Sequence, residues 1–527
     1  MNNRILCIAS CLVILFCTGI LNAQTVQEAA GKNTKSVEDT VGNLPFKISE
    51  EKRISAEDLA KKKEGWFPTG IGGPFSDPNN GSGFGGRIFL FNNGKKDDPF
   101  FAYTPYRQRI FLNLSNTTRK AQYHELNFDA PYFLDSQWRV RANLVYDRNP
   151  NNLFFGIGER SLTGLNYRDR NELGQPYTTD GLFGQYERAI SYRREPNGPN
   201  ETIVSDNQYV NTYLNSNFPA LQNQKITDRK YHRYDLEATS ANMSGEKSFF
   251  DGLVRLVVGS RMSRNKVRTY DGTLQKAQDP YFGDTSFPFA NIDIPTIQGK
   301  TKLKEDSEAK LIRGLNGGYV NLLRVGMVYD TRDYEPDPSR GIFAEVTHER
   351  SMKQIGSDYN FNRTYGSVRY FFRVLPDSIT KKKLILATRF SLVNTTGDAP
   401  FYEYRNMWGT EGGLSGLGGR TTLRGFIQDR FVGPVMGFGN IELRYRVYEL
   451  PGFTFNIAPL FDFGRPWDKI GNIGLKDYKY SYGLGLRIIW NQSTVIYLEW
   501  AKSRETENFA KGPFAGSNFY LNFGHIF

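Results

Sequence analysis

The last eleven residues, Ser517-Asn518-Phe519-Tyr520-Leu521-Asn522-Phe523-Gly524-His525-Ile526-Phe527, decide the predicted fold of this chain. Successive side chains of a strand point to opposite faces. Phe519, Leu521, Phe523 and the terminal Phe527 therefore share one face, and polar or small residues occupy the other. A strand that is apolar on one face and ends the chain on an aromatic residue is typical of a bacterial outer-membrane β-barrel. We interpret these four residues as a C-terminal barrel signal.

The start of the chain predicts export. Arg4 precedes an apolar run from Ile5 to Phe16, and Leu21-Asn22-Ala23 follows it. This pattern indicates a secretory signal at residues 1–23, cleaved after Ala23. The apolar run is too short for a stable membrane-spanning helix. Ile8-Ala9-Ser10-Cys11 resembles a lipoprotein cleavage box, an alternative that the pattern disfavours because the apolar run continues past it.

Composition excludes several classes of site. Cys7, Cys11 and Cys17 are the three cysteines and all lie in the predicted signal, so the exported protein has no disulfide or thiolate site. The four histidines are far apart in sequence, and we predict neither a metal site nor a cofactor. The net charge of +12 is compatible with basic residues that face water or lipid phosphates. Nucleic acid is an implausible partner for an exported barrel.

The mature chain divides into two predicted parts. Residues 24–80 are polar and form a periplasmic tail, in which Ser55-Ala56-Glu57-Asp58, the basic Lys61-Lys62-Lys63 and Gly65 predict one short capped helix. Such a tail is too short to bury a sizeable core of its own. Residues 81–527 are predicted to form the barrel.

Alternation of apolar and polar residues recurs along the barrel part. It is clearest where Tyr482, Leu484 and Leu486 alternate with Gly483, Gly485 and Arg487. From Gly83–Phe91 to Ser517–Phe527 we predict about sixteen strands, one of them at Asn152–Glu159. The fold class is therefore all-β, a transmembrane antiparallel β-barrel with an apolar exterior and a wet lumen. A mean hydropathy of −0.52 agrees, because a barrel places its apolar residues at every second position.

The lengths of the connections predict the orientation of the strands. Outer-membrane barrels have short periplasmic turns and longer external loops. Counted back from Phe527, the turns at 491–492, 449–452, 375–383, 335–340, 249–251 and 117–120 fall on the periplasmic side. The long connections at 160–230, 263–318 and 395–437 fall outside. Sixteen strands enclose a channel unless a loop occupies it.

The last of these long connections contains a glycine cluster, Glu411 to Arg420, followed by Thr421-Thr422-Leu423-Arg424-Gly425-Phe426. Glycine allows positive φ and close approach of the backbone to other groups. A loop that folds back into a barrel requires both properties. On the pattern alone, a flexible external loop is the favoured alternative.

The segment Thr421–Phe426 resembles the signature of the outer membrane protein eighty-five superfamily, which contains the BamA and TamA assembly barrels and the two-partner secretion transporters. The resemblance implies that Leu423, Arg424, Gly425 and Phe426 form the tip of the sixth external loop, between the eleventh and twelfth strands. It also implies a partner motif at Phe461-Asp462-Phe463-Gly464, with Leu460 as a mild departure. Asp462 and Gly464 are the expected partners on the wall, and we expect an ion pair between Arg424 and Asp462.

A further resemblance lies at Tyr329-Asp330-Thr331-Arg332-Asp333, followed by Pro336, Pro338 and Gly341, which is similar to the family's turn into the ninth strand. The tail is too short for a POTRA domain, so the chain is expected in the short branch that lacks them. This departure puts capture of client proteins in doubt.

The resemblance implies an integral barrel of the bacterial outer membrane that acts in insertion or translocation of proteins. Expected partners are outer-membrane lipids, lipopolysaccharide and client outer-membrane or secreted proteins. Two alternatives remain open. One is a passive or anion-selective pore lined by Arg369, Arg389, Arg444, Arg446 and Arg487, unless acids such as Glu442 and Glu499 pair with them. The other is a structural subunit of an envelope complex.

We predict no catalytic residue and no enzymatic activity. No Gly-x-Ser-x-Gly elbow occurs, since Gly413-Leu414-Ser415-Gly416-Leu417 lacks the last glycine. Gly81-Ser82-Gly83-Phe84-Gly85-Gly86 fits a dinucleotide fingerprint in letters only, because a strand and not a helix is predicted to follow it.

Overall fold

A computed structural model describes residues 44–54, 56–77, 80–162, 165–167, 190–193, 201–205, 232–271, 274–276, 293–295, 300–375, 384–490, 494–503 and 517–523. The predicted signal, the first part of the tail and Phe527 lie outside these residues. Among the described helices, none combines the length and hydropathy of a membrane span.

A single sheet of sixteen strands dominates the structure, and its strands follow one another in chain order. Neighbouring strands are antiparallel throughout. The predicted all-β class and strand number are confirmed. The strands are β1 Trp66–Asp77, β2 Gly81–Asn92, β3 Gln108–Thr117, β4 Gln122–Ala130, β5 Trp138–Leu153, β6 Arg233–Phe249, β7 Val254–Thr269, β8 Gly318–Asp330, β9 Gly341–Ser351, β10 Phe361–Arg373, β11 Leu384–Gly397, β12 Val435–Leu450, β13 Phe453–Trp467, β14 Lys479–Trp490, β15 Thr494–Ser503 and β16 Ser517–Phe523.

Helices and short strands are confined to the connections. The α-helices among the described residues are α1, Ala56–Lys61, and α2, Lys302–Glu308. The first is the helix predicted in the tail, although Ser55, its predicted cap, lies outside the described residues. Minor strands pair at Leu165–Tyr167, Ile190–Arg193 and Glu201–Ser205, at Leu274–Lys276 and Asp293–Pro295, and at Met407–Gly409 and Gly412–Leu414.

Burial is inverted relative to a soluble protein. On β13, Phe461 is 41% exposed whereas the neighbouring Asp462 is fully buried. On β14, Tyr482 and Leu484 are exposed whereas Arg487 is buried. The largest fully buried side chains of the described residues include six arginines: Arg363, Arg389, Arg424, Arg430, Arg444 and Arg487. An apolar outer face around a polar interior is the arrangement of a barrel in lipid.

The two ends of the sheet differ in their connections. At one end, where β16 finishes, lie the connections 93–107, 131–137, 250–253, 331–340, 374–383, 451–452 and 491–493; we call it the short-turn end. At the other, the long-loop end, lie 78–80, 118–121, 154–232, 270–317, 352–360, 398–434, 468–478 and 504–516. Connection 398–434 joins the eleventh and twelfth strands, and Gly341 begins the ninth, as the resemblance implied.

Two strand assignments in the first half were wrong, although the total was right. The sheet begins at Trp66, within the range predicted to be tail, because β1 pairs with β2 along its whole length despite Pro68 and Pro74. Asn152–Glu159 is not a separate strand: β5 runs on to Leu153, and a register shift between Asn149 and Asn152 accommodates the polar run.

These two errors have one consequence for orientation. Because the first strand was omitted, the next strands were assigned the opposite direction. The extra strand at Asn152–Glu159 restored the correct direction for all later strands. The turn at 117–120 therefore lies at the long-loop end and not, as predicted, on the periplasmic side. Glycine and proline mark turns in most sequences, whereas in β1 they are part of an edge strand.

Candidate functional site

The connection 398–434, which we call the lumenal loop, packs against the polar face of the sheet. Thr410 accepts a hydrogen bond from Arg141 of β5 through its carbonyl at 2.6 Å. Arg424 of the same loop contacts Glu499 of β15 at 2.6 Å. Strands β5 and β15 are far apart in the order of the sheet. One loop can touch both because the sheet curves around it.

The tip of the lumenal loop is held by Asp462 of β13. Nε and Nη2 of Arg424 each donate to a separate oxygen of Asp462 at 2.7 Å, and the backbone N–H of Arg424 donates to the same carboxylate at 3.0 Å. Both side chains are fully buried. The pair has the bidentate geometry that a guanidinium and a carboxylate favour.

Arg424 also belongs to a larger cluster, which we call the tip cluster. Its Nη1 donates to Glu442 of β12 at 2.7 Å and to Glu499 of β15 at 2.6 Å. Arg487 bridges the same two glutamates at 2.7 and 2.6 Å, and Arg444 donates to Glu442 at 3.0 Å. Three arginines thus face three carboxylates, which balances the charge in a buried site.

Glycines permit the close approach of the tip to the wall. Gly425 has a φ of 91°, and a Cβ added there would lie 2.8 Å from the carbonyl carbon of Lys502 in β15. A Cβ added to Gly464 would lie 2.8 Å from that of Phe438 and 3.3 Å from a methyl of Leu423. Side chains at either glycine would push the tip off the wall.

The tip also reaches the last strand. The backbone N–H of Gly425 donates to the hydroxyl of Tyr520 in β16 at 3.0 Å, and Asn518 donates to the carbonyl of Phe426 at 3.5 Å. Phe426 packs edge-on against Phe431 with ring centroids 5.3 Å apart. The four predicted residues of the tip are therefore in contact with β13, β15 and β16.

Apolar packing supports the same arrangement. The lumenal loop contributes Met407, Leu417, Leu423, Phe426 and Phe431 to a buried cluster with wall residues Tyr365, Val393, Met436 and Phe438. Burying side chains of this size stabilises the loop by roughly 1.5–3 kcal/mol each. The loop is thus a packed element of the interior and not a flexible external segment.

Glu403 provides a second attachment of the lumenal loop. It is 1% exposed, pairs with Arg261 of β7 and accepts hydrogen bonds from Arg363 of β10 at 3.2 Å. Arg363 also donates to Glu349 at 2.5 Å, and Glu349 accepts from Arg324 at 2.8 Å. This run of alternating charges joins the loop to four neighbouring strands.

A third attachment lies nearer the short-turn end. Glu411 accepts from Arg369 of β10 at 2.6 Å and pairs with Arg332, which follows β8. Glu345 of β9 accepts from the backbone N–H and the hydroxyl of Thr410 at 2.7 and 2.8 Å. Arg332 in turn donates to Asp330 at 3.0 Å.

The arginines proposed for an anion pore have partners. Arg369 pairs with Glu345 and Glu411, and Arg389 donates to Asn440 at 2.9 Å. Arg444 and Arg487 belong to the tip cluster, and Arg446 pairs with Glu449 at 2.6 Å. An acid or an amide thus pairs with each of these arginines, which reduces the positive charge that an anion would meet.

The described residues of the predicted C-terminal signal and the described histidines do not belong to the tip cluster. Phe519 and Leu521 are 61% and 53% exposed on the outer face of β16, whereas Phe523 ends that strand and Phe527 lies outside the described residues. His124, His232 and His348 bond to Asn116, the carbonyl of Phe154 and Thr364 respectively. Within the described ranges, no three histidine, cysteine or acidic residues form a group that could hold a metal ion.

Sequence reasoning missed the role of Glu442 and Glu499 at the tip. Both alternate with apolar neighbours, Glu442 between Ile441 and Leu443 and Glu499 between Leu498 and Trp500. That signal places them on the inward face. Only the curvature of the sheet, which brings β12, β13 and β15 to one point of the loop, makes them partners of Arg424.

Comparison with known proteins gives two family matches. Residues 108–527 match the Omp85 superfamily domain. Residues 44–107 match a domain of unknown function, DUF5982. No curated protein matches the chain.

Solved structures give more distant similarity. BamA from Haemophilus ducreyi lacking POTRA domains 1–3 is 13% identical, with a TM-score of 0.42 over 88% of this chain and 70% of that one. CdiB from Escherichia coli is 9% identical, with a TM-score of 0.45 over 87% and 62%. CdiB from Acinetobacter baumannii is 12% identical, with a TM-score of 0.38 over 92% and 72%.

Proposed function

This chain belongs to the Omp85 superfamily, and we propose on that basis that it inserts proteins into the outer membrane or translocates them across it. The match over residues 108–527, which span β3 to β16, is the observation that carries the proposal. The protein is an integral β-barrel of the outer membrane. We expect it to act without catalytic chemistry.

The orientation follows from the connections. The short-turn end faces the periplasm and the long-loop end faces the outside, as in other outer-membrane barrels. The exposed apolar residues between the two ends face lipid and lipopolysaccharide. Outward side chains of this kind are Leu256, Val258, Leu323, Val325, Phe390, Leu484, Leu498 and Phe519.

The tip of the lumenal loop and its wall partners are the positions on which we expect activity to depend. Leu423, Arg424, Gly425 and Phe426 hold the loop against Asp462 and Gly464. The charges of this region neutralise one another within the tip cluster. A lumen filled in this way favours handling of clients at the strands of the wall over passage of anions through the centre.

The terminal strands of the sheet are suited to contact an extended client. β1 and β16 are the first and last strands in the order of the sheet. An edge strand offers backbone groups with which another strand can pair. β1 contributes Gly70, Gly72 and Gly73, and Gly83, Gly85 and Gly86 lie in the neighbouring β2. We expect clients with alternating apolar strands.

Depletion and complementation test the proposal. Loss of the protein should lower the surface levels of other envelope proteins, and the wild type should restore them. Arg424→Ala at normal abundance should fail to restore them, whereas the control Arg446→Ala should succeed. Normal envelope levels after depletion, together with anion-selective conductance in planar bilayers that Arg424→Ala leaves unchanged, would instead establish a pore.

A further inference from the structure

Residues 44–65 and 93–107 form a compact unit at the short-turn end, which we call the cap. Lys62 donates to the carbonyls of Phe101 and Thr104, both at 2.6 Å. The N–H of Ile54 donates to the carbonyl of Ala102 at 2.8 Å, and Asn93 donates to that of Lys63 at 2.8 Å. Two segments that are separated by the β1–β2 hairpin therefore pack as one body.

The cap extends along the short-turn end, away from its own hairpin. Phe46 packs between Phe100 of the cap and Tyr132 of the β4–β5 turn, with ring centroids 5.6 and 5.8 Å apart. The N–H of Ser49 donates to the carbonyl of Asp251 in the β6–β7 turn at 2.7 Å. The cap thus contacts the β4–β5 turn and the β6–β7 turn, which are neighbours at the short-turn end.

The side chain of Lys52 extends from the cap to a buried carboxylate at the end of β8. Its Nζ lies 3.1 Å from Oδ2 of Asp330, the last residue of β8, and the two side chains are 14% and 3% exposed. Asp330 binds Arg332, and Arg332 pairs with Glu411 of the lumenal loop. Four successive charged side chains, Lys52, Asp330, Arg332 and Glu411, therefore connect the cap to the loop.

This contact is held less firmly than its neighbours. Asp330 also faces Arg255 at 3.5 Å and Arg332 at 3.0 Å, so three cations share one carboxylate. Burial lowers the pKa of Lys52, and Arg255 and Arg332 lower it further against the attraction of Asp330. Lys52 can leave without stranding the carboxylate, because the two arginines remain.

At its tip the lumenal loop is hydrogen-bonded to β16, the last strand of the sheet. The hydroxyl of Tyr520 accepts from Gly425, and Asn518 donates to the carbonyl of Phe426. Both side chains belong to β16. The loop therefore contacts the last strand directly and the first strand through the cap, which continues into β1 at Trp66.

We propose that the cap and the lumenal loop together form a clasp that holds the two terminal strands of the sheet, with Lys52–Asp330 and Tyr520–Gly425 as its two fastenings. Release of one fastening loosens one terminal strand. The proposal rests on the function proposed above and assigns a role to the match at residues 44–107, which consists of the cap with β1 and β2.

Hydrogen exchange of the purified full-length protein in detergent tests each fastening separately. Lys52→Ala should accelerate exchange of the cap and β1 about tenfold and leave β16 unchanged, because the loss of a buried contact that contributes about 1.4 kcal/mol corresponds to a factor of ten. Tyr520→Phe should accelerate exchange at residues 424–426 and β16 about tenfold and leave β1 unchanged. Lys266→Ala, at an ion pair with Glu237, and Tyr370→Phe, on the outer face, are matched controls.

A reversible cross-link tests the cap with Lys52 intact, and the reduced form of the same variant is its reference. The hydrogen bond between Ser49 and Asp251 makes these residues a suitable pair for a disulfide. Oxidised Ser49→Cys/Asp251→Cys should slow exchange of the cap and the start of β1, and reduction should restore it.

Equal exchange of β1 in the oxidised and reduced forms, or uniform acceleration of every strand by either single variant, would overturn the clasp. These measurements contain no client. Exchange results that overturn the clasp therefore leave the proposed function unaffected. Complementation results that overturn the proposed function leave the exchange results unaffected.

Discussion

Replacement of Arg424 by alanine is expected to detach the tip of the lumenal loop. The substitution removes one of three arginines from the tip cluster and leaves three carboxylates facing two cations. Asp462 is affected most, since only Asn440, at 2.7 Å, and the backbone N–H of residue 424 remain to it. Breaking a buried pair by removing one partner costs about 3–5 kcal/mol.

Hydrogen exchange of residues 420–428 measures this cost directly. At about 1.4 kcal/mol for each factor of ten, the loop should open at least about a hundredfold more often in Arg424→Ala. Arg424→Lys retains the charge but cannot bind two oxygens in a plane, so an intermediate acceleration is expected. The matched control is Arg446→Ala on β12, whose partner Glu449 is 43% exposed. It should change stability by about 1 kcal/mol or less.

A second substitution separates the free-energy cost of an unpaired buried charge from the cost of lost packing. Asp462→Asn has almost the shape of aspartate and removes the uncompensated charge, so Arg424→Ala/Asp462→Asn should exchange more slowly than Arg424→Ala alone. Wild-type protection of residues 420–428 in Arg424→Ala would refute the reasoning. So would a double variant that is no better protected than the single one.

Three further predictions concern other parts of the interior and the cap. Gly425→Ala should displace the tip and lower complementation, because the new methyl group would meet the backbone of β15. Gly412→Ala in the same loop places its methyl group in open space and should have no effect. Equal complementation by both variants would contradict this prediction. Glu403→Ala removes the paired carboxylate of Arg261 and leaves Arg363 with Glu349 alone, so it should raise protease cleavage of the lumenal loop. The control Asp398→Ala, in an ion pair whose acid is 58% exposed, should not. Burial lowers the pKa of Lys62 to about 7, so the unfolded cap binds more protons than the folded cap between pH 7 and 10.5. The protection factors of the cap should therefore rise with pH through that window, and Lys62→Met should abolish the rise. A wild type that shows no rise would be inconsistent with the burial of Lys62.

Much of the barrel was predictable because its determinant is local. An alternating strand shows its two faces in its own residues, so β12 to β16 were placed within a few residues. The same alternation put Asp462 on the inner face between Phe461 and Phe463. Resemblance in Thr421–Phe426 then suggested its partner, and the structure places Arg424 against it.

The errors occurred where local signals point the wrong way. Pro68, Pro74 and the glycines of β1 indicate a turn, yet the ladder with β2 holds them in a strand. Asn149 to Asn152 likewise indicates a turn, but a bulge absorbs it within β5. In both cases pairing with a neighbouring strand outweighs the preference of single residues.

The sequence by itself determined most of the strands, their number and the apolar outer face, and its resemblance to a family indicated the loop that turns inward. Each depends on side chains that are close along the chain. The tertiary structure alone decided that Glu442, Asp462 and Glu499 converge on Arg424, and that Lys52 reaches Asp330. These contacts join residues of the lumenal loop and the cap to residues of the wall, and the curvature of a sixteen-stranded sheet around its loop brings them within hydrogen-bonding distance.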